Sequence, residues 1–167
     1  MRILLFLAII TLSNIIIYGQ CQTEQSAIAF PDPNLEVVIR EAIDKPEGAI
    51  YASDLNRLEF LDASENGIED ITGLEYSINL EYLSLEDNEI IDVSPLSGLN
   101  NLTALDLSSN EIADASLPKS LINLKSLDLS NNQITDASTL SNLTSLESLN
   151  LSGNQVLNVS MLSGIVT

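Results

Sequence analysis

The chain has no histidine and no tryptophan, one cysteine, and six lysines and arginines against 24 aspartates and glutamates in 167 residues. Without histidine, the commonest general base and metal ligand is missing from the whole chain. The single thiol, Cys21, excludes an intramolecular disulfide and has no partner base. A formal net charge of −18 repels a phosphate backbone and an anionic membrane surface, which excludes nucleic acid as a partner. Aromatics make up only 4%, so a core has to be built from Leu, Ile, Val and Ala. There is no glycine-rich phosphate loop, and the carboxylates recur in open register rather than in a cleft that could raise one pKa. These absences predict no enzyme, no catalytic residue, no resident metal and no cofactor. What is present is a 45% hydrophobic chain, too apolar for an acidic disordered polymer and long enough for one domain.

The first residues, MRILLFLAIITLSNIIIYGQ, place one Arg before an apolar run from Ile3 to Ile17 that is short for a bilayer span. Residues 1–19 read as a secretory signal cleaved after Gly19, which leaves no stable membrane span in the mature chain. Cys21 follows Gln20, a poor match to the small residue of a lipid-attachment signal, so a plain free thiol is expected. Residues 20–29 are polar and unpatterned and read as a flexible segment. In FPDPNLEVVIREAI, Asp32 can cap a helix that opens on Pro33, with an apolar stripe of Leu35, Val38, Ile39, Ala42 and Ile43. Lys45-Pro46-Glu47-Gly48 should stop it, and a second helical turn is expected at Ser53–Leu58 with Ser53 as its cap. Residues 30–58 thus form a helical cap.

From residue 59 onward the chain repeats. Asn66, Asn88, Asn110, Asn132 and Asn154 stand 22 residues apart. Each has Leu61, Leu83, Leu105, Leu127 or Leu149 five positions before it, and Ala63, Leu85, Leu107, Leu129 or Leu151 three before. Ile68, Ile90, Ile112, Ile134 or Val156 follows at two positions after. The Leu-x-Leu alternation predicts a short strand with one buried face, which a single 22-residue unit cannot bury alone. Stacked copies make one continuous core and parallel strands about 4.8 Å apart. An Asn column in fixed register predicts a buried ladder that satisfies the peptide groups of neighbouring turns.

The return limb is regular as well, with apolar columns at Ile71, Val93, Ala115, Ala137 and Val159, then Leu74, Leu96, Leu140 and Leu162, then Leu99, Leu121, Leu143 and Ile165. Asp70, Asp92, Asp114 and Asp136, with Asn158 in the last copy, should accept hydrogen bonds from the amides that open a 3₁₀ or helical turn. A metal column is the alternative, though one carboxylate per rung is thin coordination. The third copy swaps Pro-Leu for Leu117-Pro118, which predicts a local distortion. Residues 59–167 then form five rungs, the last incomplete and without a C-terminal cap. Either the chain is a fragment of a longer protein, or that uncovered edge would be met by a partner or by self-association. Acceptor patterns for glycosylation at Asn101, Asn142, Asn150 and Asn158 follow from the repeat itself and are incidental.

LEYLSLEDNEIIDVSPLSGLNNL, repeated as LTALDLSSNEIADASLPKSLINL and LKSLDLSNNQITDASTLSNL, resembles the 22-residue leucine-rich repeats of bacterial internalin-like surface proteins. FPDPNLEVVIREAI is similar to their helical N-terminal cap. The resemblance implies an α/β solenoid: a right-handed horseshoe segment with a parallel concave sheet, a convex side of short 3₁₀ turns and a helical N-terminal cap. It also implies a secreted or cell-surface module that binds a protein or glycan through its concave face. The concave positions it assigns include Phe60, Asp62, Tyr82, Ser84, Glu86, Asp106, Ser108, Asp128 and Asn150. Aromatics occur there only at Phe60 and Tyr82. The column Asp62, Ser84, Asp106, Asp128, Asn150 could attract a basic partner or a divalent ion, or serve only to keep the sheet soluble. The alternative function is a structural repeat segment of a larger surface or adhesion protein.

Overall fold

The computed structural model describes residues 26–157. The expected leader, Cys21, the closing positions Asn158, Val159, Leu162 and Ile165, and with them the expected uncovered edge, lie outside those residues. Ile28, placed by sequence in the unpatterned segment, donates its amide to the Ile50 carbonyl at 2.8 Å and packs against the core.

Helix α1 (Pro33–Ala42) opens as its sequence dictates, with the Asp32 carboxylate accepting from the amides of Asn34 and Leu35 at 2.8 and 3.3 Å. Leu35, Val38 and Ile39 are buried. Ala42 is exposed and Ile43 half-buried, because the helix ends earlier than Lys45-Pro46-Glu47-Gly48 suggested. Asp44 turns left-handed (φ 53°) and the Lys45 amide folds back to the Arg40 carbonyl at 2.9 Å, closing the helix. Helix α2 (Ala52–Leu55) is shorter than expected, and Tyr51, not Ser53, holds its cap position. The reason is Asp54, whose carboxylate reaches back to the Tyr51 amide at 2.8 Å and takes Lys45 Nζ at 2.6 Å.

Five strands follow: β1 (Phe60–Asp62), β2 (Tyr82–Ser84), β3 (Ala104–Asp106), β4 (Ser126–Asp128) and β5 (Ser148–Asn150). They form one parallel sheet in chain order, pairing Leu61, Leu83, Leu105, Leu127 and Leu149 in one register. The opening Leu of each later copy, Leu80, Leu102, Leu124 and Leu146, is buried, and so is Leu58, which begins the first copy. The core is one continuous cluster, mostly leucine and isoleucine, running from the cap along the stack, as a chain poor in aromatics requires.

The convex limb carries 3₁₀ turns at Leu74–Tyr76, Ser94–Leu96 and Ser138–Asn142. Asp70, Asp92, Asp114 and Asp136 each accept the amide two residues on, at 2.8 or 2.9 Å. The Ser116 hydroxyl and then its amide hold the Asp114 carboxyl below its ordinary range, and the Ser138 amide and then its hydroxyl do the same for Asp136. In three copies the turn closes when the amide of Leu74, Leu96 or Leu140 reaches a carbonyl three residues back. In the third copy Pro118 stands at that register and has no N–H to give. Leu117 instead donates to the Ala115 carbonyl at 2.8 Å, no 3₁₀ turn forms there, and Leu117 rests half-buried against the core.

The asparagine column accounts for the stacking. Asn110 Oδ1 accepts the Ile90 amide of the preceding rung at 3.0 Å, while Nδ2 shares its hydrogens among the carbonyls of Leu85, Leu107 and Ser108 at 2.8 to 3.2 Å. Asn88 and Asn132 repeat the same set, and Asn154 repeats all but one contact. Asn66 departs from the ladder: it is exposed, and its Nδ2 reaches only the Ser64 carbonyl. The ladder works on the rung before it, and before Asn66 lies the helical cap. Asp32 takes over at this junction, its Oδ2 accepting the Glu69 and Asp70 amides at 2.7 and 3.1 Å. A second asparagine column lies at the other end of the strands. Asn79, Asn101 and Asn123 donate to the carbonyls of Asn56, Ile78 and Asn100 at 2.8 to 3.0 Å.

Asn110→Ala should cost about 2–4 kcal/mol, because one buried amide and three buried carbonyls lose a partner. Asn66→Ala should stay within about 0.5 kcal/mol. Urea unfolding of both variants checks the contrast, and equal losses would refute the ladder account. Asp32 gives a pH signature. Burial raises its carboxyl, but the amides of Glu69, Asp70, Asn34 and Leu35 outweigh this and leave it below its ordinary range. Its contribution is therefore complete above the unfolded carboxyl pKa and disappears as pH falls through the lower folded value. Asp32→Asn keeps one acceptor oxygen, should lose about 1–3 kcal/mol near neutrality, and should flatten the acid limb of stability against pH.

Candidate functional site

The strand pleat divides the side chains, Leu inward and the intervening residues onto the concave side. Stacking in register then turns each intervening position into a column. The first column is Phe60, Tyr82, Ala104, Ser126 and Ser148. Phe60 and Tyr82 lie face to face, ring centroids 4.5 Å apart and planes 7° from parallel. Phe60 is 60% exposed and Tyr82 37%, so the pair forms an apolar platform open to solvent. Glu59 and Glu81 stand just before the two strands in sequence, and Glu86 just beyond β2; all three are exposed.

The second column is Asp62, Ser84, Asp106, Asp128 and Asn150. Each acidic member is engaged by the serine two residues on. Asp106 Oδ1 takes the Ser108 amide at 2.9 Å and hydroxyl at 2.6 Å, and Asp128 treats Ser130 alike at 2.8 and 2.6 Å. Asp62 pairs with Ser64 and Asn150 with Ser152 in the same manner. The Ser64 hydroxyl, then its amide, holds the Asp62 carboxyl below its ordinary range against a smaller opposing effect of burial. Asn150 Nδ2 also donates to Asp128 Oδ2 at 2.9 Å, placing a neutral donor where a further carboxylate would repel.

Two residues assigned to the exposed face are not exposed. Ser84 is 4% accessible and Ser108 7%. Ser108 is drawn behind Asp106 by its own hydroxyl bond. Ser84 stands in the aspartate column, flanked by Asp62 and Asp106, with its Oγ 2.9 Å from Ser64 Oγ. Phe60, Asp62, Tyr82, Glu86 and Asn150 are exposed, and Asp106 and Asp128 half-exposed. The Asp-x-Ser pairing was visible at positions 62, 106 and 128, one residue beyond the period-two alternation that drew attention to the strands.

The residue before each ladder Asn is left-handed: Glu65, Asp87, Ser109 and Asn131 at φ 55–58°, and Gly153 at 74°. This bend lets the amides of Glu65, Asp87, Ser109 and Asn131 pair with the next rung at 2.7 to 3.0 Å and extends the ladder beyond the strands. Among the described residues no group of three or more His, Cys, Asp and Glu converges to hold a metal ion, and no helix is long and apolar enough to cross a membrane.

A parallel sheet of short strands, a leucine column, a 3₁₀ outer limb and an asparagine ladder define a leucine-rich-repeat solenoid. The two-copy leucine-rich-repeat pattern matches residues 78–119 and 122–164. Comparison with curated protein sequences returns no match. Among solved structures, internalin InlF from Listeria monocytogenes is 35% identical, with a TM-score of 0.80 over 86% of this chain and 44% of its own. Internalin InlC2 from the same organism is 33% identical, with a TM-score of 0.58 over 81% of this chain and 70% of its own. The functional domain of Listeria InlJ, described as including a cysteine ladder, is 26% identical with a TM-score of 0.73 over 84% of this chain and 33% of its own. The chain belongs to the leucine-rich-repeat family and is of the bacterial internalin-like kind. It spans less than half the length of InlF and about a third of InlJ.

Ser108→Ala should lower stability by about 1–2 kcal/mol, since a buried hydroxyl–carboxylate bond is lost without any change in formal charge. Thermal or urea unfolding checks this. An unchanged midpoint would mean that the Asp-x-Ser pairs do not brace the concave face.

Proposed function

We propose that the chain is a secreted or cell-surface recognition module that binds a protein through its concave sheet. The observation that carries this reading is the exposed Phe60–Tyr82 stack. Stacked rings left open to water in a chain this poor in aromatics are the kind of anchor on which interface energy concentrates. The surrounding Glu59, Glu81, Glu86, Asp62 and Asp106 suit a partner with a basic surface. Lys or Arg side chains could meet the ring faces and the carboxylates together. The formal charge of −18 would steer such a partner over distance and make the encounter sensitive to salt. Glycan recognition through the same face is an outcome the test can reveal.

A second reading draws on the Asp-x-Ser pairs. Because each concave Asp spends one oxygen on its own serine, the column can be explained as bracing, and the chain as a structural repeat segment of a larger surface or adhesion protein.

Pull-down from extracellular proteins and a glycan array, each run with and without calcium, separates the two. The expected result is calcium-independent binding to a basic protein that weakens as salt rises. Tyr82→Ala should weaken it about 30-fold or more, the loss typical of a buried aromatic anchor, and Asp106→Lys should also reduce it. Full binding by both folded variants would move the interface off the concave sheet. Silence in both assays would favour the structural segment.

A further inference from the structure

The first ladder position differs from the others in a way that bears on its covalent chemistry. Asn66-Gly67 is the one Asn-Gly pair in the chain; the later ladder residues are followed by Glu89, Glu111, Gln133 and Gln155. In those copies the amide after the Asn is tied to the preceding rung, Glu89 to Ile68, Glu111 to Ile90, Gln133 to Ile112 and Gln155 to Ile134, at 2.9 or 3.0 Å. Gly67 has no preceding rung, and among the described residues its amide donates to none. The Asn66 side chain is exposed and bonded through Nδ2 to the Ser64 carbonyl alone, with the backbone held at the Asn66 amide by Asn88 Oδ1 and at the Gly67 carbonyl by Asn34 Nδ2, while Asn88, Asn110 and Asn132 are buried and hold four or more contacts each. Gly67 presents no side chain to shield the peptide, and an ideal Cβ built there would find only Asn34 Nδ2, at 3.8 Å. A hollow of about 310 Å³ lined by Asn34, Gly67, Glu69 and Asp70 brings solvent to the spot.

We propose that Asn66 is a site of spontaneous deamidation in the folded protein. The Gly67 nitrogen attacks the Asn66 side-chain carbonyl carbon and gives its proton to solvent, and the new C–N bond closes a five-membered succinimide. The bond from that carbon to Nδ2 breaks, and the nitrogen takes a proton from solvent and leaves as ammonia. Water then adds to one of the two ring carbonyls and breaks its bond to the Gly67 nitrogen: addition at the side-chain carbon yields aspartate, and addition at the main-chain carbon yields isoaspartate, in which the chain continues through the side-chain carbon. The product carries a new carboxylate beside Glu65 and has lost the donor that held the Ser64 carbonyl at 2.6 Å. The junction between the cap and the first repeat thus becomes more acidic and less tightly tied as the protein ages.

The same attack at Asn110 would first have to break the ladder contacts and the Glu111 amide bond, which adds to the barrier and slows reaction by ~100-fold or more relative to Asn66. The test is incubation of the whole folded chain in mildly alkaline buffer, followed by peptide mapping with isoaspartate detection. The expected result is conversion at Asn66 with Asn88, Asn110 and Asn132 unchanged over the same period. Gly67→Ala should suppress it, and because Gly67 is left-handed at φ 62° that variant is first checked for folding by circular dichroism. The same incubation in concentrated urea serves as the second measurement and should release the ladder asparagines to react. Conversion at Asn66 no faster than at Asn110 in the folded chain, or conversion seen only in urea, would overturn the proposal.

Discussion

The structure depends on one requirement: peptide groups at the inner turn of each rung must find partners where neither strand nor helix supplies them. The coil is too short for a long outer helix, and its strands are only three residues long. Leucines supply the cohesion but have no direction. The side-chain amide of the ladder asparagine supplies it, accepting from the rung before and donating to carbonyls of both. An unpaired buried peptide group costs about as much as several methylenes of burial gain, so the amide decides whether stacked leucine coils make one structure or many.

The N-terminal cap answers the same requirement at the place where the series begins. At the first rung the amides of Glu69 and Asp70 face the cap. Asp32 covers them with one carboxylate oxygen while the other caps helix α1. A single charged group thereby fixes both the start of the helix and its seat on the solenoid. Packing completes the junction, with the Phe30 ring lying where a Cβ on Gly73 would come within 2.6 Å. The concave face uses a related economy, since each Asp-x-Ser pair satisfies a strand-end amide and leaves the carboxylate on the surface.

Much of this was legible in the sequence because a solenoid writes its contacts as a period. The leucine columns, the ladder at Asn88, Asn110, Asn132 and Asn154, and the Asp caps of the outer limb all followed from positions 22 apart. What escaped was set by contacts outside the period. Asn66 shares the register yet lacks a neighbour, and Ser53 looked like a cap until Asp54 proved the better-placed acceptor. Ser84 and Ser108 were assigned as exposed because strand alternation says nothing about the hydrogen bond that draws a small side chain inward. The second column, Asn79, Asn101 and Asn123, was periodic as well, but resembled ordinary polar filling between leucines. Of the candidate site, the aromatic pair and the acidic column could be named, while the stacking of the rings required coordinates.

The two asparagine columns sit at opposite ends of the strands and bond across matching intervals, 20 and 25 residues for one and 23 for the other. A single residue inserted or deleted between two rungs would change the intervals across that one junction and leave the rungs beyond it in step with one another. A whole added turn brings a complete set of these contacts with it, much as a zip lengthens by whole teeth. Each such 22-residue unit extends the sheet by about 4.8 Å, the spacing between neighbouring strands.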